Sequence, residues 1–168
     1  SSDYVRYYGN EFEEWITPLS SYKEEENLEL HDHECNYAEG KKHQMAFGWS
    51  VLNSRGLVNE KDKEQFIYDG LVDLIAHEVG HTLGLRHNFK ASATYSLFDL
   101  KNKMFTEKNG VTSSVMDYNP VNLSSKGEPQ GSWYHTTLGV YDYWAIEYAY
   151  GIHEPDLYVS EEIMLEKI

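Results

Sequence analysis

The chain has 168 residues with 14 basic against 28 acidic side chains, and its net charge of −14 argues against a phosphate backbone as partner. Hydrophobic residues at 40 % and aromatic residues at 14 % exclude a disordered chain and suffice for one domain with a packed core. The single cysteine, Cys35, excludes an internal disulfide, and no apolar run approaches the ~20 residues of a membrane-spanning helix.

In chain order, Val5, Tyr8, Phe12, Trp15 and Ile16 recur at helical spacing, which predicts a helix over residues 4–17 that ends before Pro18. The run over 20–29 is charged and poor in core residues, so it reads as a solvated turn or helix face. His31 and His33 in LHDHEC alternate as they would on one side of a strand. That pattern leaves two readings, an exposed polar segment or a second metal site. Met45, Phe47, Trp49 and Val51 alternate through residues 40–51, which predicts a strand and an edge for pairing with an extended peptide.

A long helix is expected to begin at Asn59 or Asp62 and to run to about Leu83. Ile67, Leu71, Leu74, Ile75 and Val79 are its expected buried face, with Gly70, Ala76 and Gly80 allowing close approach of neighbours. Asp73, one turn before His77, is either a solvated acid or a hydrogen-bond acceptor behind a ligand. The helix ends in HEVGHTLGLRH, which has the form HExxHxxGxxH. Residues four apart on a helix share a face, so His77 and His81 offer two imidazoles to one ion. Gly84 suits the left-handed conformation at a helix end, which turns the chain so that His87 arrives from a third direction. Three neutral imidazoles leave one tetrahedral position open, the arrangement of a catalytic zinc. Glu78, near the same face, is placed to take a proton from a water held there.

Residues 88–113 form a long connector with a short strand or helix near 97–100 and a turn at Asn109-Gly110. The sequence SVMDY follows at 114–118, and residues 122–135 read as a surface loop whose Trp133, Tyr134 and His135 are either ordinary packing or a pocket wall. A helix is expected before Gly151, capped by Thr136 or Thr137 and carrying Asp142 near its positive end. The tail beyond 154 holds a further helical pattern from Ser160 through Ile163, Met164 and Ile168.

HExxHxxGxxH followed 29 residues after His87 by Met116 resembles the metzincin clan of zinc endopeptidases and its Met-turn. The run Asp142 to Gly151 is similar to the DxxAIxxxYG helix of serralysins and matrixins. The order of all three motifs is similar to large bacterial zinc-dependent metalloproteases of uncharacterised-domain type. The resemblance implies an α+β, metzincin-like catalytic domain with a central active-site helix, a Met-turn and a C-terminal helix. It would be divided into an N-terminal lobe over 1–84 and a C-terminal lobe over 85–168. It further implies that Met116 lies as an apolar floor beneath the imidazoles and that Asp142 supports the turn from behind. Tyr118, placed as in the astacin-like and serralysin-like branches, is either an oxyanion-stabilising ligand or one of fourteen structural tyrosines.

A metzincin normally carries a sheet ahead of its active-site helix, and only 76 residues precede His77, so a truncated sheet and a piece of a longer chain are expected. The opening SSDY does not resemble a signal peptide. Zinc is the expected cofactor; a calcium ion is compatible with the long connector but leaves no legible ligand motif. The expected activity is hydrolysis of peptide bonds in a peptide or protein substrate, in a secreted, periplasmic or cell-surface setting of a bacterium. Two alternatives stand beside it: a zinc hydrolase with Glu107 as third ligand in place of His87, and a zinc-binding lobe without catalysis.

Overall fold

The computed structural model describes residues 35–151. The expected helix over 4–17, the charged run over 20–29, His31, His33 and the tail beyond 154 lie outside these residues. Five α-helices are described: α1 (Tyr37–Ser54), α2 (Glu60–Thr82), α3 (Leu97–Lys101), α4 (Lys103–Asn109) and α5 (Val140–Tyr150), with one 3-10 turn at Ala91–Ala93. No strand occurs among the described residues, so the α half of the expected α+β class is present there and the β half is not.

The strand expected over 40–51 is instead the middle of α1. Tyr37, Ala38, Lys41, Met45, Ala46, Gly48, Trp49 and Leu52 are its buried residues, and their three- and four-residue steps follow a helix. Phe47, which the alternating reading placed inside, is 55 % exposed. A run of alternate apolar residues fits both periods over so short a stretch, and the packing partner selected the helical one.

α2 starts where Asn59 caps it. The Asn59 side chain accepts from the Lys61 N–H at 2.9 Å, and Asp62 returns a bond by accepting the Asn59 N–H at 2.7 Å. α1 and α2 pack together around Met45, Trp49, Leu52, Phe66 and Leu74, with Val121 and Tyr134 closing the cluster. Gly70 and Gly48 make the crossing close. A Cβ at Gly70 would stand 2.8 Å from Met45 Cε, and one at Gly48 would stand 3.2 Å from Phe66 Cζ.

The buried face of α2 matches the expected one at Leu74, with Ile67 and Leu71 partly buried against the core, and differs from it further on. Phe66, Gly70, Asp73, Leu74, His77 and Gly80 face inward, whereas Ile75 and Val79 are about half exposed. With Val72, Leu83, Leu138 and Tyr143 they line an open apolar groove of about 520 Å³.

The connector after α2 is folded throughout. Ser96 caps α3, the Asn102 side chain accepts the Phe105 N–H to start α4, and Gly110 ends that helix at φ +78°. α5 is capped by neither threonine: Gly139 is its N-cap, and the Asp142 carboxylate accepts the Gly139 N–H at 2.7 Å. Gly139 is required there, because a Cβ would run into the Ser113 carbonyl.

Candidate metal centre

The C-terminal end of α2 is built to bend. Gly84 has φ +80°, its N–H donates to the His81 carbonyl at 2.9 Å, and the Leu85 N–H donates to the Gly80 carbonyl at 3.0 Å. This paired pattern is a Schellman stop, and it reverses the chain so that His87 returns toward the helix. The Asn88 N–H then donates to the Met116 carbonyl at 2.9 Å, tying the returning segment to the turn at 114–118.

Three imidazoles meet as a result. His81 Nε2 and His87 Nε2 are 3.1 Å apart, and the His77 ring lies 4.8 Å from that of His81 and 5.2 Å from that of His87 by centroid. The far nitrogens are held by carbonyls: His77 Nδ1–H donates to Val115 O at 2.8 Å and His81 Nδ1–H to Leu85 O at 3.0 Å. A carbonyl can only accept, so both rings carry a proton on Nδ1 and present Nε2 to the centre. His77 is fully buried, and burial lowers its pKa to about 4, so the ring is neutral and ready to ligate.

The supports come from both sides. Met116 is fully buried, and a Cβ at Gly80, between the two helical histidines, would collide with Met116 Sδ. Asp142 receives the Ser114 hydroxyl at 2.7 Å and the Val115 N–H at 3.0 Å, fixing the segment whose carbonyl orients His77. Asp73 is neither solvated nor bonded to His77. It is fully buried, accepts from Lys41 Nζ at 2.5 Å and from the Tyr37 hydroxyl at 3.2 Å, and Lys41 is itself fully buried. The Tyr37 ring packs 4.5 Å from His77 and stacks 4.8 Å from Tyr118. Asp73 is thus linked to the His77 ring by way of Tyr37.

Sequence reasoning missed Cys35. Its sulfur lies 3.4 Å from His77 Nε2 and 3.6 Å from Glu78 Oε1, and it accepts the Tyr118 hydroxyl at 3.2 Å. Cys35, His77, His81 and His87 form one group with ligand atoms all within 4.8 Å of one another. No spacing could have shown this, since 42 residues separate Cys35 from His77. Burial and the bond to Cys35 raise the Tyr118 pKa above the ordinary phenol value.

Glu107 takes no part. It is exposed and pairs with Lys103 at 3.8 Å, which removes the alternative in which it replaces His87. Tyr134 and His135 are fully buried and form no pocket wall. Tyr134 packs edge-on to Phe66 at 5.0 Å, and His135 Nδ1 accepts the Val111 N–H at 3.1 Å. Trp133 packs on Phe66 at 5.5 Å and borders a hollow of about 710 Å³ with Arg55 and Glu107, which none of the three histidines reaches.

The set fits zinc. With Zn–N near 2.0–2.1 Å and Zn–S near 2.3 Å, tetrahedral ligands stand about 3.3 Å apart for two nitrogens and about 3.6 Å for nitrogen and sulfur. The 3.1 Å and 3.4 Å separations seen here are close to those values, and all four ligand atoms lie within 4.8 Å of one another.

A bent helix end that gathers three histidines beside a buried methionine turn is an arrangement that could hold a metal ion in the metzincin manner. The family described as Met-zincin matches residues 59–168, about two thirds of the chain, and the chain belongs to that family of the metzincin metalloprotease clan. No curated protein and no solved structure matches the chain.

Proposed function

We propose that the protein is a zinc-dependent endopeptidase in which His77, His81 and His87 hold the ion and Glu78 is the general base. The observation that carries this reading is the convergence of three imidazoles with a glutamate carboxylate beside them. Zinc in such a site supplies Lewis acidity, which acidifies a water and polarises a carbonyl.

The chain's own residues do the rest. Glu78 takes the proton of the attacking water and delivers it to the nitrogen of the leaving amine. Tyr118 donates its hydroxyl hydrogen bond to the oxygen that gains negative charge, a role suited to a phenol held un-ionised by its surroundings. Val115 O and Leu85 O hold two ligand rings in a single tautomer. The Tyr37–Asp73–Lys41 group excludes water from behind His77.

In the zinc-loaded protein, Glu78→Gln should leave metal stoichiometry unchanged while lowering cleavage of a quenched peptide by about 10²–10⁴-fold. Undiminished cleavage would remove Glu78 from its role. His87→Ala should weaken zinc binding and Glu107→Ala should not.

A second reading, a structural zinc centre without catalysis, is favoured by Cys35 alone, since four protein ligands close a tetrahedral site.

A further inference from the structure

Lys41 stands four residues after Tyr37 on the same face of α1, and both side chains are fully buried. The ammonium donates to Asp73 Oδ2 at 2.5 Å and to the Tyr37 hydroxyl at 2.9 Å, and it lies 4.4 Å from the centre of the Tyr134 ring. The Tyr37 hydroxyl donates to Asp73 Oδ1 at 3.2 Å, which closes a ring of three polar groups. Apolar side chains of the same volume would fill this place without the cost of desolvation. What they would lack is a bond to the tip of Tyr37, and that bond fixes where the aromatic ring stands.

The ring so fixed is turned toward the histidine cluster. It stacks on Tyr118 at 4.8 Å with 14° between the planes and lies 4.5 Å from His77. His77, His87 and Phe89 meet Tyr118 at 55° to 79°, so Tyr37 is the one ring parallel to it among the described residues. The Tyr118 hydroxyl thereby stands at the group of donors, 3.2 Å from Cys35 Sγ. It is the atom farthest along its side chain, so a small turn of the ring displaces it most. A donor to a developing oxyanion has to stand about 2.7–3.1 Å from the oxygen, which leaves little room for such a turn.

Resting on the peptidase reading of this site, we infer that Tyr37 is a positioning residue for the reaction. Pinned at its hydroxyl by the buried Lys41–Asp73 pair, its ring sets the plane of Tyr118 and so the place of the phenol that steadies the oxyanion. The influence of Tyr37 on cleavage passes through the Tyr118 hydroxyl. Substrate binding, which comes before the charge develops, is left as it is.

The test is a double-mutant cycle in the zinc-loaded full chain, with kcat and KM measured for Tyr37→Leu, Tyr37→Phe, Tyr118→Phe and the two combinations. Tyr118→Phe should lower kcat by about 10²–10³-fold. Tyr37→Leu removes the stack and should lower kcat at least about tenfold with KM within about twofold. Tyr37→Phe removes only the anchor and should lower kcat less. In the Tyr118→Phe background neither change should lower kcat further, since the hydroxyl they place is already absent. In the metal-free protein, the losses in denaturation midpoint for Tyr37→Leu and Tyr118→Leu should be non-additive, because both remove one stack.

The same fold-loss in kcat from the Tyr37 substitutions in both backgrounds overturns the inference and leaves Tyr37 a packing residue. An unchanged kcat, or denaturation effects that simply add, does the same. Should Tyr37→Leu fail to fold or to bind one zinc per chain, the cycle with Tyr37→Phe, which keeps the ring, decides; loss of zinc or fold there too overturns the inference in favour of a structural role. A Tyr118→Phe protein as active as the parent sinks the inference while the peptidase stands. One zinc per chain with no cleavage by the unaltered protein sinks the peptidase reading and the inference together.

Discussion

The two faces of α2 contrast sharply. One is buried and largely polar or featureless: Asp73, His77 and two glycines lie beside Phe66 and Leu74. The other is apolar and open, with Ile75, Val79 and Leu83 each between 44 % and 48 % exposed. Hydrophobic content would assign these faces the other way round. Burial follows the partners present, and α1 presents Tyr37 and Lys41 to the polar face, where Asp73 satisfies both. An ion pair withdrawn from water is weak evidence for net stability, but removing one partner leaves an uncompensated buried charge.

That contrast can be broken most forcefully at Asp73. Asp73→Ala would leave the Lys41 ammonium buried and unpaired, and chemical denaturation should show a loss of about 3–5 kcal/mol. The double change Asp73→Leu with Lys41→Met should recover most of it; if the single variant is as stable as the parent, the polar face is not held by this pair.

Acid should produce a smaller, graded loss in the metal-free protein. The fold favours the neutral His77 ring, whose pKa falls from 6.5 to about 4, and burial shifts His135 in the same direction. The unfolded chain therefore binds more protons between these values, so stability rises with pH and is fully present above about 6.5. Thermal melts should drop as pH falls from 6.5 toward 4, and His77→Gln should flatten that dependence; a melt independent of pH in this window contradicts the assignment.

Gly80→Ala tests the packing of the same face against the Met116 turn. The added methyl must displace Met116, and a destabilisation of about 1–3 kcal/mol with weakened metal binding is expected. An unchanged melt and metal affinity would mean that the methionine moves freely. The smallest effect belongs to the open face, where Ile75→Gln should change stability by no more than about 0.5 kcal/mol. A loss of several kcal/mol there would show that this face is covered in solution.

The HExxHxxGxxH motif was legible because its geometry is local. His77, Glu78 and His81 share one helix face by period alone, and Gly84 takes the positive φ that a reversing chain requires. The caps at Asn59 and the stop at Gly151 were legible for the same reason, since each depends on a few neighbouring residues. Residues 40–51 were not, because Met45, Phe47, Trp49 and Val51 satisfy a strand period until Phe66 and Leu74 pack against Met45 and Trp49. Asp142 was readable as an acid near the positive end of its helix, and the resemblance implied its support of the turn, but no local period shows its bonds to Ser114 and Val115, which span 28 and 27 residues.

By itself, then, the sequence determined the bend at the end of α2 and the identity of three imidazoles and a carboxylate, since backbone geometry over eleven residues brings them near one another. Only the tertiary structure decided which face of that helix is buried, where the Lys41–Asp73 pair stands, and that a sulfur from 42 residues upstream comes within 3.4 Å of His77. Those contacts join separate elements, and the packing that brings elements together leaves no period in the chain for a reader to find.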